Sequence, residues 1–274
     1  MKKYPILVFV LLLSLAPLAA SAQASADPQD PSEIIQSIYA ALEGGDVDGA
    51  MEMVAEDAVL TLIPPPLGTD GTFVGADAIR DWYDSLVANN IRIEFSHVDV
   101  SGNMASMSMA TWVDDLPISP AFFDGSGIVQ GGELKALSWA MTPASMAALD
   151  AFAEKEATMA LVASYFDDLW AQGNLDLADE LLAEDFVSHN FPAGDRAALK
   201  DAVAGFRVEN PNAYFSYDDV VIGDGQVFII NRMMARPEGA AADAEGEAIS
   251  PPMVLILGIQ DGKFTDRWLF FLAQ

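Results

Sequence analysis

Gly45-Asp46-Val47-Asp48-Gly49-Ala50-Met51-Glu52-Met53-Val54-Ala55-Glu56-Asp57-Ala58-Val59 returns later in the chain. Its partner is Gly173-Asn174-Leu175-Asp176-Leu177-Ala178-Asp179-Glu180-Leu181-Leu182-Ala183-Glu184-Asp185-Phe186-Val187, and eight of the fifteen positions are identical. Further matches follow in the same order. Ala78-Ile79-Arg80-Asp81 lines up with Ala198-Leu199-Lys200-Asp201, and Phe95-Ser96 with Phe215-Ser216. Internal repetition of this kind means one folding unit used twice. The units expected are 30–143 and 155–274, joined by a linker at 144–154.

Periodicity predicts the elements of each unit. Asp30-Pro31-Ser32-Glu33 offers a capping acid, a first-turn proline and a glutamate three residues after the cap. Ile34, Ile35, Ile38, Tyr39 and Leu42 then recur at helical spacing until Gly44-Gly45. A second short helix is expected from Asp46 through Ala55, and a third on Ala78, Ile79, Trp82, Tyr83, Leu86 and Val87. Strands are expected at 59–63, 91–100, 104–113, 127–130 and 134–141. In the second unit Met159, Val162, Phe166 and Leu169 mark the first helix, and Leu199, Ala202, Val203 and Phe206 the third. Its strands are expected at 187–190, 214–222, 226–235, 253–260 and 264–272, with Asp261-Gly262 as a hairpin turn. Pro237 to Ser250, rich in Ala, Gly and Glu, reads as a mobile loop. Helices followed by a long meander predict an α+β fold. Two tandem cone-shaped domains are expected, each a curved, mainly antiparallel sheet with helices on its concave face. The mouth of such a cone is a natural small-molecule pocket.

The chain begins with Lys2 and Lys3, an apolar run from Ile6 to Leu15, Pro17, and small residues through Ala26. This is the pattern of a cleavable secretory signal over 1–22, with cleavage after Ala22 or as late as Ala26. It places the protein in a secreted or periplasmic compartment, with no membrane attachment after cleavage. Acidic residues number 41 against 13 basic, for a net charge of −28. Such a chain repels nucleic acid and anionic membrane, which need clustered Lys and Arg. There is no cysteine, so disulfides and thiolate metal sites are excluded. The two histidines, His97 and His189, lack metal-ligand spacing, so no metal is expected. No G-x-S-x-G elbow or Gly-rich phosphate loop occurs, and no cofactor is expected.

The order of these signals resembles the SnoaL-like branch of the nuclear transport factor two superfamily. The resemblance is carried by Ala55-Glu56-Asp57-Ala58-Val59, Gly75-Ala76-Asp77-Ala78-Ile79, Ala183-Glu184-Asp185-Phe186-Val187-Ser188-His189-Asn190, Asp261-Gly262-Lys263 and Arg267-Trp268. It implies the fold of polyketide cyclases and ketosteroid isomerases. Steroid isomerases of this fold use a first-helix tyrosine and a carboxylate base at the end of the first strand. Those positions hold Ile38 and Leu62 in the first half and Phe166 and Asn190 in the second. Single domains of the superfamily pair through the convex faces of their sheets. The resemblance therefore implies that the two halves pack on each other as a pseudo-dimer.

Two function classes follow, with a purely structural interaction module as a third and weaker one. The first is an exported protein that binds a small apolar molecule, with an apolar pocket in each domain. Trp82, Tyr83, Trp112 and Trp139 are the wall candidates in the first half, and core packing is the plainer role for each. Asn190, Trp268 and Arg232 are the ligand-binding candidates in the second half, and pairing with one of the many acids is the plainer role for Arg232. The alternative is a cofactor-free cyclase, isomerase or hydrolase using His189 as acid or base. Mass spectrometry of the exported product is expected to give a mature chain starting near Gln23 or Asp27. A full-length, membrane-bound product would show instead that the N-terminal segment is an anchor.

Overall fold

The computed structural model describes residues 30–272 except 115 and 242–243. The expected signal segment therefore lies outside the described residues.

The first half begins with α1 (Pro31–Glu43), where the Asp30 carboxylate accepts a 2.8 Å bond from the Ser32 N–H. Gly45, at φ 77, turns the chain out of it. Asp46 caps α2 (Val47–Met51) through the Gly49 N–H. This helix stops short of the expected Ala55, because β1 (Val54–Ile63) already claims the Ala-Glu-Asp segment. β2 (Thr72–Val74), α3 (Ala76–Ala88), β3 (Arg92–Ser101), β4 (Met104–Trp112), β5 (Ala121–Gln130) and β6 (Glu133–Met141) follow. The strands form one sheet in the order β2-β1-β6-β5-β4-β3. The apolar side of α1 (Ile35, Ile38, Tyr39 and Leu42) is buried, together with Ile79 and Tyr83 of α3.

Trp139 sits at zero exposure in this core. Its Nε1–H donates to the Tyr39 hydroxyl at 2.7 Å, and the two rings meet edge to face at 6.1 Å. Burying an indole of roughly 200 Å2 contributes on the order of 5 kcal/mol of hydrophobic stabilisation. The indole fits because Gly125 of β5 has no side chain. A Cβ there would stand inside contact distance of Trp139 Cε3 and the Ser138 carbonyl.

In the second half, 144–154 is helical: it lies within α4 (Pro143–Ala163), which Thr142 caps through the Ser145 N–H. The helix continues as a π-helical segment, Ser164–Ala171. α5 (Leu177–Leu181), β7 (Leu182–His189), β8 (Ala193–Asp195), α6 (Arg196–Glu209), β9 (Ala213–Gly223), β10 (Gln226–Ala235), β11 (Glu247–Ala248), β12 (Met253–Gln260) and β13 (Lys263–Phe271) complete it. The sheet runs β11-β10-β12-β13-β7-β8, with β9 also paired to β10. It is mixed, since β13 runs parallel to β7 while the other pairings are antiparallel. Asp261 (φ 51) and Gly262 (φ 73) both take the left-handed conformation that a two-residue hairpin turn demands. The segment expected as a loop, 237–250, returns to the sheet as β11 beside Met234 and Ala235. Tyr214 holds it by accepting from the Gly246 N–H at 3.1 Å.

The buried faces of the two first helices correspond as Ile35 with Val162, Ile38 with Tyr165, Tyr39 with Phe166 and Leu42 with Leu169. Between Leu169 and Gly173 the second half carries one more residue than the first has between Leu42 and Gly45. The π-helical segment absorbs it, because a wider turn accommodates an extra residue without rotating the rest of the helix.

Gly125→Ala is expected to lower stability by about 1–3 kcal/mol, since the core around Trp139 is already full. Urea unfolding measures it, and a neutral effect would mean that Trp139 has room to shift.

Candidate functional site

The second half encloses a cavity of about 160 Å3. Its aromatic wall is built from Trp170, Phe206 and Phe215, with Trp170 edge-on to Phe206 at 5.6 Å and to Phe215 at 5.9 Å. Met253, Leu255 and Leu269 line it from β12 and β13. Phe191 and Phe271, 64% and 51% exposed, meet edge to face at 5.7 Å, and they mark the side where the cavity reaches solvent.

Polar groups enter this apolar space at a few points. Arg267 of β13 is 4% exposed. Its Nε donates to the Tyr165 hydroxyl at 3.0 Å. Its Nη1 is placed to donate to Ser188 Oγ (3.0 Å) and to the carbonyls of Asn190 (2.9 Å) and Phe191 (3.0 Å). Register sets Ser188 directly beside Arg267 across the β7–β13 pair. Every one of these partners is neutral, and among the described residues Nη2 makes no hydrogen bond. Arg267 also stands 5.9 Å from the Trp170 ring centre. The Trp170 Nε1–H is buried with no partner among the described residues. Asn231, 1% exposed, sits at a register shift in β10, and its amide makes one long bond, 3.4 Å, to the Ile229 carbonyl.

Burial, and then the neighbouring Asp168, raises the Asp167 carboxyl, an effect its hydrogen bond with Tyr217 partly offsets. Burial, followed by the charge of Asp167, raises Tyr217. In the first half, burial pushes the Tyr39 and Tyr83 hydroxyls upward, so both stay protonated. Among the described residues no group of three His, Asp or Glu side chains could hold a metal ion.

Residues 35–142 match the family model of the SnoaL-like domain, and residues 160–271 match that of the SnoaL-like polyketide cyclase. The chain is a tandem of two SnoaL-like domains. Solved structures with local likeness include three of different kinds. The epoxide hydrolase/cyclase-like enzyme SalBIII, of pyran ring formation in salinomycin, is 21% identical, over 43% of this chain and 95% of its own, at a TM-score of 0.36. An LEH-like epoxide hydrolase of M. tuberculosis is 12% identical, over 44% and 91%, at 0.38. An NTF2-like protein of unknown function from Cytophaga hutchinsonii is 12% identical, over 44% and 98%, at 0.36. No curated protein matches the chain.

The second SnoaL-like domain brings His189 and Trp268 together, but outside the cavity. Their rings stack at 4.3 Å with 2° between planes, and His189 Nε2 lies 2.9 Å from Asp266 Oδ1. On β7 it is Phe186 and Ser188 that are buried, so alternation turns His189 to the other face. Asn190 does not line the cavity with its side chain either. Its amide extends the strand ladder past the end of β7, donating to the Leu269 carbonyl at 2.9 Å and accepting from the Leu269 N–H at 2.7 Å. Arg232 is exposed, on the face opposite Asn231 and Met233. In the first domain Trp139 is core, Trp82 is half-buried and stacks on Phe73 at 5.3 Å, and Trp112 is half-buried on β4. His97 is exposed and pairs with Asp99 at 3.1 Å.

Sequence reasoning missed Arg267, Trp170, Tyr165 and Asn231. Strict alternation from the buried Phe264 points Asp266 and Trp268 inward. The register shift beside Phe264 moves the strand by one, so Arg267 and Leu269 face the cavity instead. The signal was present in β6, where Leu134, Leu137 and Trp139 are buried with the same spacing. The π-helical segment likewise corrects the first-helix comparison. Tyr165, not Phe166, is the counterpart of Ile38, so a tyrosine does stand at that position in the second domain.

His189→Ala is expected to cost at most about 1 kcal/mol, as exposed ion pairs and ring stacks do. Asn190→Ala should cost about 1–3 kcal/mol, because it strands both Leu269 backbone groups. Urea unfolding of the two variants checks the order; the reverse order would show His189 to be the structural residue.

Proposed function

We propose that this exported protein binds a small, largely apolar molecule in the cavity of its second SnoaL-like domain. The observation that supports this most is a difference between the domains at one place. Counting from Gly132 and Gly262, β6 and β13 correspond residue by residue, with Leu134 matching Phe264, Leu137 matching Arg267 and Trp139 matching Leu269. In the first domain the larger residue fills the interior. In the second, leucine leaves it open. An apolar space with a few fixed polar groups is the general form of a small-molecule site. Of the wall residues expected for a pocket in the first domain, Trp139 is core and Trp82 is stacked on Phe73, so the ligand is assigned to the second domain alone.

The alternative, cofactor-free cyclase, isomerase or hydrolase chemistry through His189, has less support. A general acid or base must reach its substrate, within about 3 Å or through one water, and His189 is turned away from the cavity.

Native mass spectrometry of the exported protein is expected to show a bound small molecule. Leu269→Trp, which copies the filling of the first domain, should abolish it while leaving unfolding cooperative. A bound mass that survives Leu269→Trp, or a wild-type protein that never carries one, would overturn this reading.

A further inference from the structure

We propose that the cavity of the second SnoaL-like domain selects an organic anion, a carboxylate carried on a ring-sized apolar body. The inference rests on the reading that this cavity is a ligand site, and it adds the chemical class.

The argument starts from donors. Guanidinium and indole N–H groups can only donate hydrogen bonds. Arg267 and Trp170 line the same cavity; the four hydrogen bonds of Arg267 use Nε and Nη1 and leave Nη2 to give, and the buried Trp170 Nε1–H has no acceptor among the described residues. The Tyr165 hydroxyl must accept from the guanidinium, since Arg267 has no acceptor to offer, and this leaves its own hydrogen to give. The Asn231 amide is held by a single long bond and adds N–H donors. Each of these groups still has an N–H or O–H hydrogen to give. A ligand that completes them presents several lone pairs in a small space.

Charge narrows the class. A buried cation is ordinarily paired with an anion. The sequence has 41 acidic residues, yet the described hydrogen-bond partners of Arg267 are a phenol, a serine hydroxyl and two backbone carbonyls. The first domain has Leu137 at the matching place, so the fold does not need a cation there. A carboxylate meets both demands, because it is acceptor-only, carries one negative charge and suits the planar guanidinium.

Size and lining set the rest of the molecule. A cavity of about 150 Å3 lined by apolar side chains holds a benzene-sized guest, and this one is about 160 Å3. Phe206, Phe215, Met253, Leu255 and Leu269 supply the apolar lining for a single ring. The exposed Phe191 and Phe271 let a longer substituent leave toward solvent.

The test uses the full mature chain and two matched probes, phenylacetate and phenylacetamide, titrated calorimetrically at neutral pH. They differ in charge and hardly in shape. Phenylacetate is expected to bind about tenfold more tightly or better, the scale of a charge-assisted hydrogen bond. In Arg267→Gln the preference should fall to within about twofold, and Trp170→Phe should weaken phenylacetate while removing nothing but the indole N–H donor and part of the ring. If Arg267→Gln does not fold, the wild-type comparison and Trp170→Phe still decide. Equal binding, or a preference for the amide, overturns the anion assignment and leaves an apolar ligand site standing. A preference that survives in folded Arg267→Gln overturns the role of Arg267. Binding of neither probe overturns both this inference and the ligand-site reading beneath it.

Discussion

A guanidinium cannot shed its proton inside a protein, so wherever Arg267 is buried its surroundings must answer a full charge. Here they answer with geometry. Nε reaches the π-helical segment through Tyr165, while Nη1 reaches β7 through Ser188 and the turn after it through the carbonyls of Asn190 and Phe191. One side chain thereby fixes the helix, the parallel strand pair and the turn that carries Phe191 at the cavity opening. The register shift in β13 is what aims it inward. Asn190 secures the same strand from the other side by continuing the ladder to Leu269. The polar end of the cavity is thus a consequence of how β13 joins β7.

Much of the fold was legible in the sequence because its signals are local. Asp30 and Asp46 cap where capping chemistry requires, and Asp261-Gly262 makes the turn its φ preferences demand. The repeat itself gives the tandem arrangement. The site was less legible because it depends on parity. A shift of one residue in a strand exchanges its two faces, and an extra residue in a helix moves a side chain by about 100°. Both occur in the second domain. Trp268 and Phe166 are the residues that strict counting selects, and Arg267 and Tyr165 are the ones the backbone delivers.

The duplicated domains show how far a shared scaffold can diverge at few positions. Trp139 and Leu269 occupy corresponding places, as do Leu137 and Arg267. In one domain these choices yield an interior closed by an indole that Gly125 makes room for. In the other they yield an open space with a charge at its wall. The sheets keep similar strand orders around both. Function in such a fold resides in what fills the interior, and a family match alone does not report it.

The acidity of the chain acquires a different meaning beside a buried cation. With a net charge of −28, the surface sets up a potential that discourages any anion from approaching. An anionic guest would cross this barrier slowly in dilute buffer and faster as dissolved salt shortens the reach of the field. Once inside, it would be held by groups that water no longer competes for. The net charge would then govern the rate of entry and its dependence on salt, while the rate of exit would be set by the contacts inside the cavity.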